Sequence, residues 1–522
     1  MSGRVGGPCD TFWLRGGTYN LGYVETTIHG APGAPITFRQ APGEQARVNG
    51  ALVFFDSVGH VVLRDFELYG SDTNRITKQT GVGFNPTDLN LRDSGIVCYV
   101  PNMSFINLVI HDHVRHGVYI SEWASNNVVY GCVVYNNGWV GPDNASGHNF
   151  YIQNNAGTKV IAENLAFNNA GVNFQIYDNH VNGKLLNVTI EGNVAFNASV
   201  LSTTRVYRDW IIGVDAPSIS ADRIVFRNNM GYHAPGSRTT PQAQLGREGV
   251  NGRLVATDNY LTMPLQLNNW RTAVFSNNVI ALQNTGYVLD LQQSQALSAI
   301  GWNRNTYFRP SSGSDFHKNS STYNFSGWKT ATGFDQGSSY SSGTMTGTKT
   351  FVRRNAYEPG RANIVVYNWD KLSAVSVDVR SVLPMGATYE VRNAQDFFAA
   401  PVRSGTFDGQ PLQLPMQGLS VAKPIGPFNT PAPTGPQFNT FVLLQRGEAS
   451  ATPPRLRIAA ACEGVRVSWP TNATNYVLQR SPMGAAPQAW NDVTAVPTIA
   501  GGEYVVTQPV AQPPMLYRLK LR

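Results

Sequence analysis

Short apolar runs closed by asparagine recur through the middle of this chain, and nothing else in the sequence limits its fold so tightly. They are Phe105-Ile106-Asn107, Val160 to Asn164, Val188 to Asn193, Ile224 to Asn229, Leu254 to Asn259, Val274 to Asn278 and Gly301 to Asn305, with Cys132 in the same slot of the run Val128 to Tyr135. A second short strand follows, as in Leu165-Ala166-Phe167, Val194-Ala195-Phe196 and Val279-Ile280. Spacings of about 19 to 36 residues suit β-helix coils separated by loops of variable length. Asparagine tolerates the left-handed bend between two strands, and its amide can bond to the next coil and build a ladder. The repeat therefore predicts a parallel β-helix in which each of these asparagines is structural.

A solenoid also accommodates the length, because 522 residues exceed one compact core while a solenoid grows by adding coils. Charged residues are only 14% of the chain, with 50 glycines and 31 prolines, an all-β and turn-dense composition. No run is apolar for the ~20 residues a membrane span needs, and Met1 to Gly7 lacks the regions of a signal peptide. Cys9, Cys98, Cys132 and Cys462 form no CxxC pair and are read as buried apolar residues, a Cys98 to Cys132 bridge being the alternative. The net charge is +7, yet residues 1–200 hold 11 Lys and Arg against 15 Asp and Glu, while residues 451–522 hold 7 against 3. An acidic half where the chemistry is placed argues against a nucleic-acid partner and weakens the case for a polyanionic glycan.

The opening segment Asp10 to Tyr19, then Gly33 to Phe38 and Pro42-Gly43-Glu44, resembles the first coils of the pectate-lyase-like β-helix superfamily, and Trp328 with Thr330 to Asp335 resembles its closing coil. The resemblance covers roughly residues 8–345. It implies a right-handed parallel β-helix that cleaves polysaccharide by hydrolysis or by elimination. Period-2 strands such as Asn363 to Trp369 and Val375 to Val379 then predict a β-sandwich over 350–447, with a Pro-rich excursion at Pro424 to Pro436. Val465 to Pro470, Tyr476 to Arg480 and Tyr517 to Leu519 resemble a small fibronectin-like module over 455–522. The expected organisation is thus a β-helix over 1–345 and two β-sandwich modules, in a monomer that is secreted or held at the cell surface.

Five segments, beginning at Ser94, His116, His148, Val172 and Asp209, read as successive strands of one wall. Alternation turns Val118, Ile120, Phe150, Ile152, Phe174 and Ile176 inward and Tyr119, Ser121, Tyr151, Gln153, Gln175 and Tyr177 outward. Rings and amides on one surface suit sugars, whose C–H faces stack while their hydroxyls bond. The same alignment puts Glu122, Asn154, Asp178 and Asp215 in one column. At ~4.8 Å per coil, Asp178 and Asp215 approach the ~5 to 5.5 Å of a retaining glycosidase, and Glu122 and Asp178 the ~6.5 to 9.5 Å of an inverting one. A calcium site at Glu122, Asp178 and Asp215 and a structural turn stay open as alternatives.

His111-Asp112-His113-Val114-Arg115-His116 gathers a base, a cation and an acid, with His148 stacked over His116. For β-elimination, Arg115 or His148 would be the base, with calcium in the acidic column. The insertion Trp139 to Ser146, carrying Asp143, is expected to overhang the groove, and a second excursion, Ser199 to Arg208 with Arg205, Tyr207 and Arg208, precedes the Asp209 strand. The leading expectation is a glycoside hydrolase on a polysaccharide substrate, using Glu122, Asp178 and Asp215. A calcium-dependent lyase is the second, and a non-catalytic glycan-binding surface protein the third.

Overall fold

The structure is a computed structural model that describes residues 7–521 except 56–57, 179–182, 216–219, 235–241, 284–285, 311–312, 448–454, 462–463, 472, 474–475, 484–488 and 501–502. From Thr11 to about Ser342 each coil contributes strands to three walls, and between neighbouring coils nearly every pairing is parallel and in register. The first wall is an eleven-stranded sheet from Thr11–Leu14 to Ile300–Asn303. The second runs through Val109–His111, Val133–Tyr135, Leu165–Phe167, Val194–Phe196, Met230–Tyr232 and Tyr260–Thr262. The third, called here the groove wall, runs through Ile96–Cys98, Val118–Ile120, Phe150–Ile152, Phe174–Asp178, Trp210–Val214, Ala243–Leu245, Leu265–Asn268, Leu289–Gln292 and Phe316–Lys318. This is the parallel β-helix the repeat predicts.

Alternation fills the bore with apolar side chains, and like residues stack on like from coil to coil. Phe150, Phe174 and Trp210 stack at 4.7 and 4.3 Å with nearly parallel planes. The asparagine ladder is present: Asn164, Asn193, Asn229, Asn259, Asn278 and Asn305 each donate Nδ2–H to the Oδ1 of the next, and Asn305 donates to Asp335. The left-handed bend, however, belongs to the residue before each of them, with positive φ at Glu163, Gly192, Asn228, Asp258, Asn277 and Arg304. The two roles expected of one asparagine are divided between neighbours, because a side chain locked into the bore ladder must leave the outer bend to another residue. Asn107 takes the bend (φ 54), not the ladder slot.

The far end is closed by the helix Phe325–Thr332, capped by Asn324, whose fully buried Trp328 donates Nε1–H to Asp335. Residues Thr348–Arg354, Arg361–Asn368, Phe438–Gly447, Thr388–Asn393 and Arg403–Thr406 then form an antiparallel sheet beside a two-stranded one, Ala374–Val377 with Leu412–Pro415. Its apolar face covers the second wall, packing Tyr367, Phe438 and Val442 among Tyr135, Phe167, Phe196, Tyr232 and Tyr260. The Pro-rich excursion fastens the same contact: Asp112 accepts from Ile425 N–H at 2.8 Å, Arg75 donates to Ile425 O at 3.0 Å, and Arg75 lies over the Phe428 ring.

By compactness the chain divides into one unit containing the β-helix and most of this sheet region, and a second containing Arg446–Arg522. The second unit has a four-stranded and a three-stranded antiparallel sheet around Val467, Trp469, Leu478 and Val506. Cys98 and Cys132 are buried thiols without a bridge, whereas Cys9 is exposed, contrary to expectation, and Cys462 lies outside the described residues. No described helix is long and apolar enough to cross a membrane.

Candidate functional site

The groove wall presents one outward line of side chains in strict register: Val97, Tyr119, Tyr151, Gln175, Ile211, Gln244, Gln266, Asp290 and His317. Its first half is aromatic. Tyr99 meets Tyr119 at 5.8 Å, Tyr119 meets Tyr151 at 5.4 Å, and Tyr151 meets Tyr177 at 6.3 Å. At the strand entrances His116 stacks on His148 at 5.2 Å, as the sequence predicts. Tyr99, Tyr119, Tyr151 and His116 line a cleft of about 320 Å³ together with Tyr23, Arg92 and Arg115, among others. Val118, Ile120, Phe150, Ile152, Phe174 and Ile176 face the bore as expected. Of the expected outward set, Tyr119, Tyr151 and Gln175 are half-buried, but Ser121, Gln153 and Tyr177 are covered.

Arg115 reaches this cleft and forms no ion pair among the described residues. The two histidines are neutral: burial and the nearby Arg115 push His148 down to about 3, and burial with His148 and Arg115 lowers His116. Their Nδ1 atoms are occupied, His148 accepting from Val172 N–H at 3.0 Å and His116 from His148 N–H at 3.1 Å. The remaining proton therefore sits on Nε2, so His148 offers a donor and not the free lone pair of the expected base. Burial raises Tyr151 to about 12 against the opposing pull of Arg115, and raises Tyr119 further. Tyr119 donates to Gln153 Oε1 at 3.1 Å, and Gln153 Nε2–H reaches Asp178 Oδ1 at 3.4 Å.

The carboxylate column needs a correction. Phe174 pairs with Trp210 and Asp178 with Val214, so Asp215 stands one residue beyond the column of Glu122, Asn154 and Asp178. A one-residue slip exchanges the two faces of a strand, and stacking of Trp210 on Phe174 fixes the parity the alignment missed. Asp178 and Glu122 are buried, Glu122 accepting from Ser121 Oγ–H at 3.0 Å. Beneath them lies Lys159, which sequence reasoning missed: it is fully buried, donates to Ser121 O at 2.6 Å and to Gln153 O, and burial lowers it to about 7. Asp215 is the carboxylate open to the groove; it accepts from Tyr177 Oη–H at 2.7 Å and pairs with Arg247, contacts that outweigh burial and hold it below its ordinary range. Among the described residues no three His, Cys, Asp or Glu side chains are grouped to hold a metal, so the expected calcium ligands Glu122, Asp178 and Asp215 are not gathered.

The other expected contributors divide. Trp139 is buried against Leu89 and Val114, and does not overhang the groove. Its loop leaves through a neck where Gly138 and Gly147, both at positive φ, bring their backbones so close that a Cβ on Gly147 would lie 2.0 Å from Gly138 Cα. Asp143 accepts from Gly81 N–H at 2.6 Å, pinning the loop to its neighbour, and Tyr207 donates to Ala145 O at 2.6 Å from the other side. His111 lies under the covered second wall, between Asp112 and Glu67, and His113 is buried against Asp93. Four of the 15 acids in the first 200 residues are consumed in this way: Glu67, Asp65, Asp112 and Glu163 each pair with an arginine. The cleft itself is left cationic.

No protein-family model matches the chain, and no curated protein matches it. Among solved structures the chain is similar to pectate lyase Pel9A, at 15% identity over 57% of this chain and 71% of that one, with a TM-score of 0.38. It is similar to the catalytic unit of a GH87 alpha-1,3-glucanase from Streptomyces thermodiastaticus strain HF3-3, at 13% identity over 59% and 55%, TM-score 0.37. A tailspike protein of E. coli bacteriophage HK620 matches at 11% identity over 84% and 86%, TM-score 0.31. These likenesses are distant, and it is the parallel strand pairing between coils that defines the β-helix.

Proposed function

We propose that this chain is a secreted or surface-held polysaccharide-cleaving enzyme that acts on an acidic glycan by β-elimination in the Arg115 cleft. The observation that carries the reading is a guanidinium without a carboxylate partner among the described residues, set among tyrosines and the neutral imidazole of His116. Arg115 would pair with the uronate carboxylate and so acidify the carbon beside it. Tyr151, the half-buried phenol subject to the field of Arg115, would take that proton as phenolate while the electron pair forms the new C=C bond. The C–O bond to the leaving sugar then breaks, and its oxygen takes a proton from Tyr119. His148 and His116 donate through Nε2–H to the sugar.

Because the base must ionise from about 12, the initial rate should climb about tenfold per pH unit from neutrality into the alkaline range. Arg115→Gln should lower kcat/KM by roughly a hundredfold or more. Products absorbing in the ultraviolet, with mass spectrometry showing unsaturated ends, support the reading; ends carrying an added water reject it. Such hydrolysed ends would favour the second reading, a glycoside hydrolase drawing on Asp215 with Glu122 and Asp178, for which the groove-facing Asp215 carboxylate held by Tyr177 and Arg247 is the specific observation. No new chain ends on any polysaccharide would leave a glycan-binding surface protein.

A further inference from the structure

Arg208 has no part in the cleft described above, yet it is placed to meet the same polymer. It closes the Ser199 to Arg208 loop, and extending the strand register by two residues sets it beside Val172, two coils on from His148. Its Nε is shut off from solvent with no hydrogen-bond partner, and its guanidinium pairs with no carboxylate among the described residues. The two acids of the strand that follows it are already committed: Asp215 to Arg247 and Tyr177, and Asp209 turned into the bore onto Asn173 Nδ2–H and Ala198 N–H. The loop that carries Arg208 is fixed in place, since Tyr207 N–H donates to Ser199 Oγ at 2.9 Å and Tyr207 Oη–H to Ala145 O. A partly buried guanidinium held rigidly without an anion bears an uncompensated desolvation cost. A pre-positioned cation of this kind recovers that cost when an anion arrives.

We infer that Arg208 is a second anion-recognition point in the groove, taking a carboxylate or sulfate on a sugar unit well separated from the one held at Arg115. The two lie about three strand spacings apart, ~14 Å, or roughly three sugar units of an extended chain. The inference rests on the acidic-glycan reading, and it narrows the substrate to a polyanion that carries charge on more than one unit.

The test uses the full chain and uronate oligomers of two to eight units prepared from polygalacturonate and alginate, with chondroitin sulfate oligomers as the sulfated arm and carboxyl-reduced polygalacturonate as the uncharged one. Binding is measured by calorimetry across a salt series. Arg208→Gln should weaken the six-unit oligomer about tenfold, leave the two-unit oligomer unchanged, and reduce the salt slope. Arg208→Lys should fall between, keeping charge while losing the planar fork, and Arg205→Gln on the same loop should match the parent. Tight binding of the sulfated oligomer over the uronate one would assign the anion as sulfate, and the reverse as carboxylate. Unchanged affinity of Arg208→Gln for the six-unit oligomer overturns the inference, even if ultraviolet-absorbing products confirm elimination. Loss of affinity without any such products would uphold Arg208 and discard elimination.

Discussion

Asp209 and His111 show how single buried side chains set the response of this molecule to pH. Asp209 is fully enclosed, and burial raises its carboxyl to about 7 against the hydrogen bonds from Asn173 and Ala198. A folded-state value above the ordinary ~3.9 means the native chain holds a proton the unfolded chain has lost, so stability falls as pH rises from about 4 to 7. His111 behaves differently. Burial would lower it, but Asp112 and Glu67 prevail and raise it to about 9. Its contribution is complete below about 6.5 and disappears as pH rises through about 9. Denaturant midpoints across pH should therefore decline in two stages. Asp209→Asn should flatten the lower stage and add about 1 to 4 kcal/mol at pH 8, whereas His111→Gln should remove the upper one. A midpoint that stays level from pH 4 to 9 would contradict both assignments.

At the scale of elements, the amide ladders explain where the carboxylates fall. In a row of asparagines each Nδ2–H is given onward, so the last member must be a pure acceptor. The long ladder ends on Asp335, which also accepts from Tyr307, Trp328 and Ser338. The shorter one runs Asn149, Asn173, Asp209 and ends with Asp209 Oδ2 unmatched. Asn229→Ala, in the middle of the long ladder, would strand the backbone and side-chain N–H groups of Asn193 and cost about 2 to 5 kcal/mol in chemical denaturation. The repeat from Asn164 to Asn305 was legible in the sequence because a ladder demands the same residue coil after coil, whereas Asn107 was assigned to it wrongly. The division of bend and ladder between neighbours was not legible, since a propensity for left-handed backbone says nothing about which of two adjacent residues turns inward.

Across the whole molecule, the β-helix and the sheet region that follows depend on each other. The second wall is as apolar outside as inside, with Tyr135, Leu165, Phe167, Phe196 and Tyr232 buried only because the later strands lie against them. A chain ending at residue 345 should therefore expose this wall and aggregate, as read by light scattering, while the full chain stays dispersed. Local strand patterns determined the coils, the inward and outward faces of the groove wall and the stacked histidines, because each follows from a period of two or from a repeat within about thirty residues. Tertiary structure alone decided the charge of the cleft, by sending acids such as Glu67, Asp112 and Glu163 to partners as far as Arg353 and leaving Arg115 and Arg208 without a carboxylate among the described residues. It also decided the register that carries Asp215 past Asp178. Composition counts charges, but only the folded chain settles which are neutralised, and pairing across two hundred residues leaves no mark on local sequence.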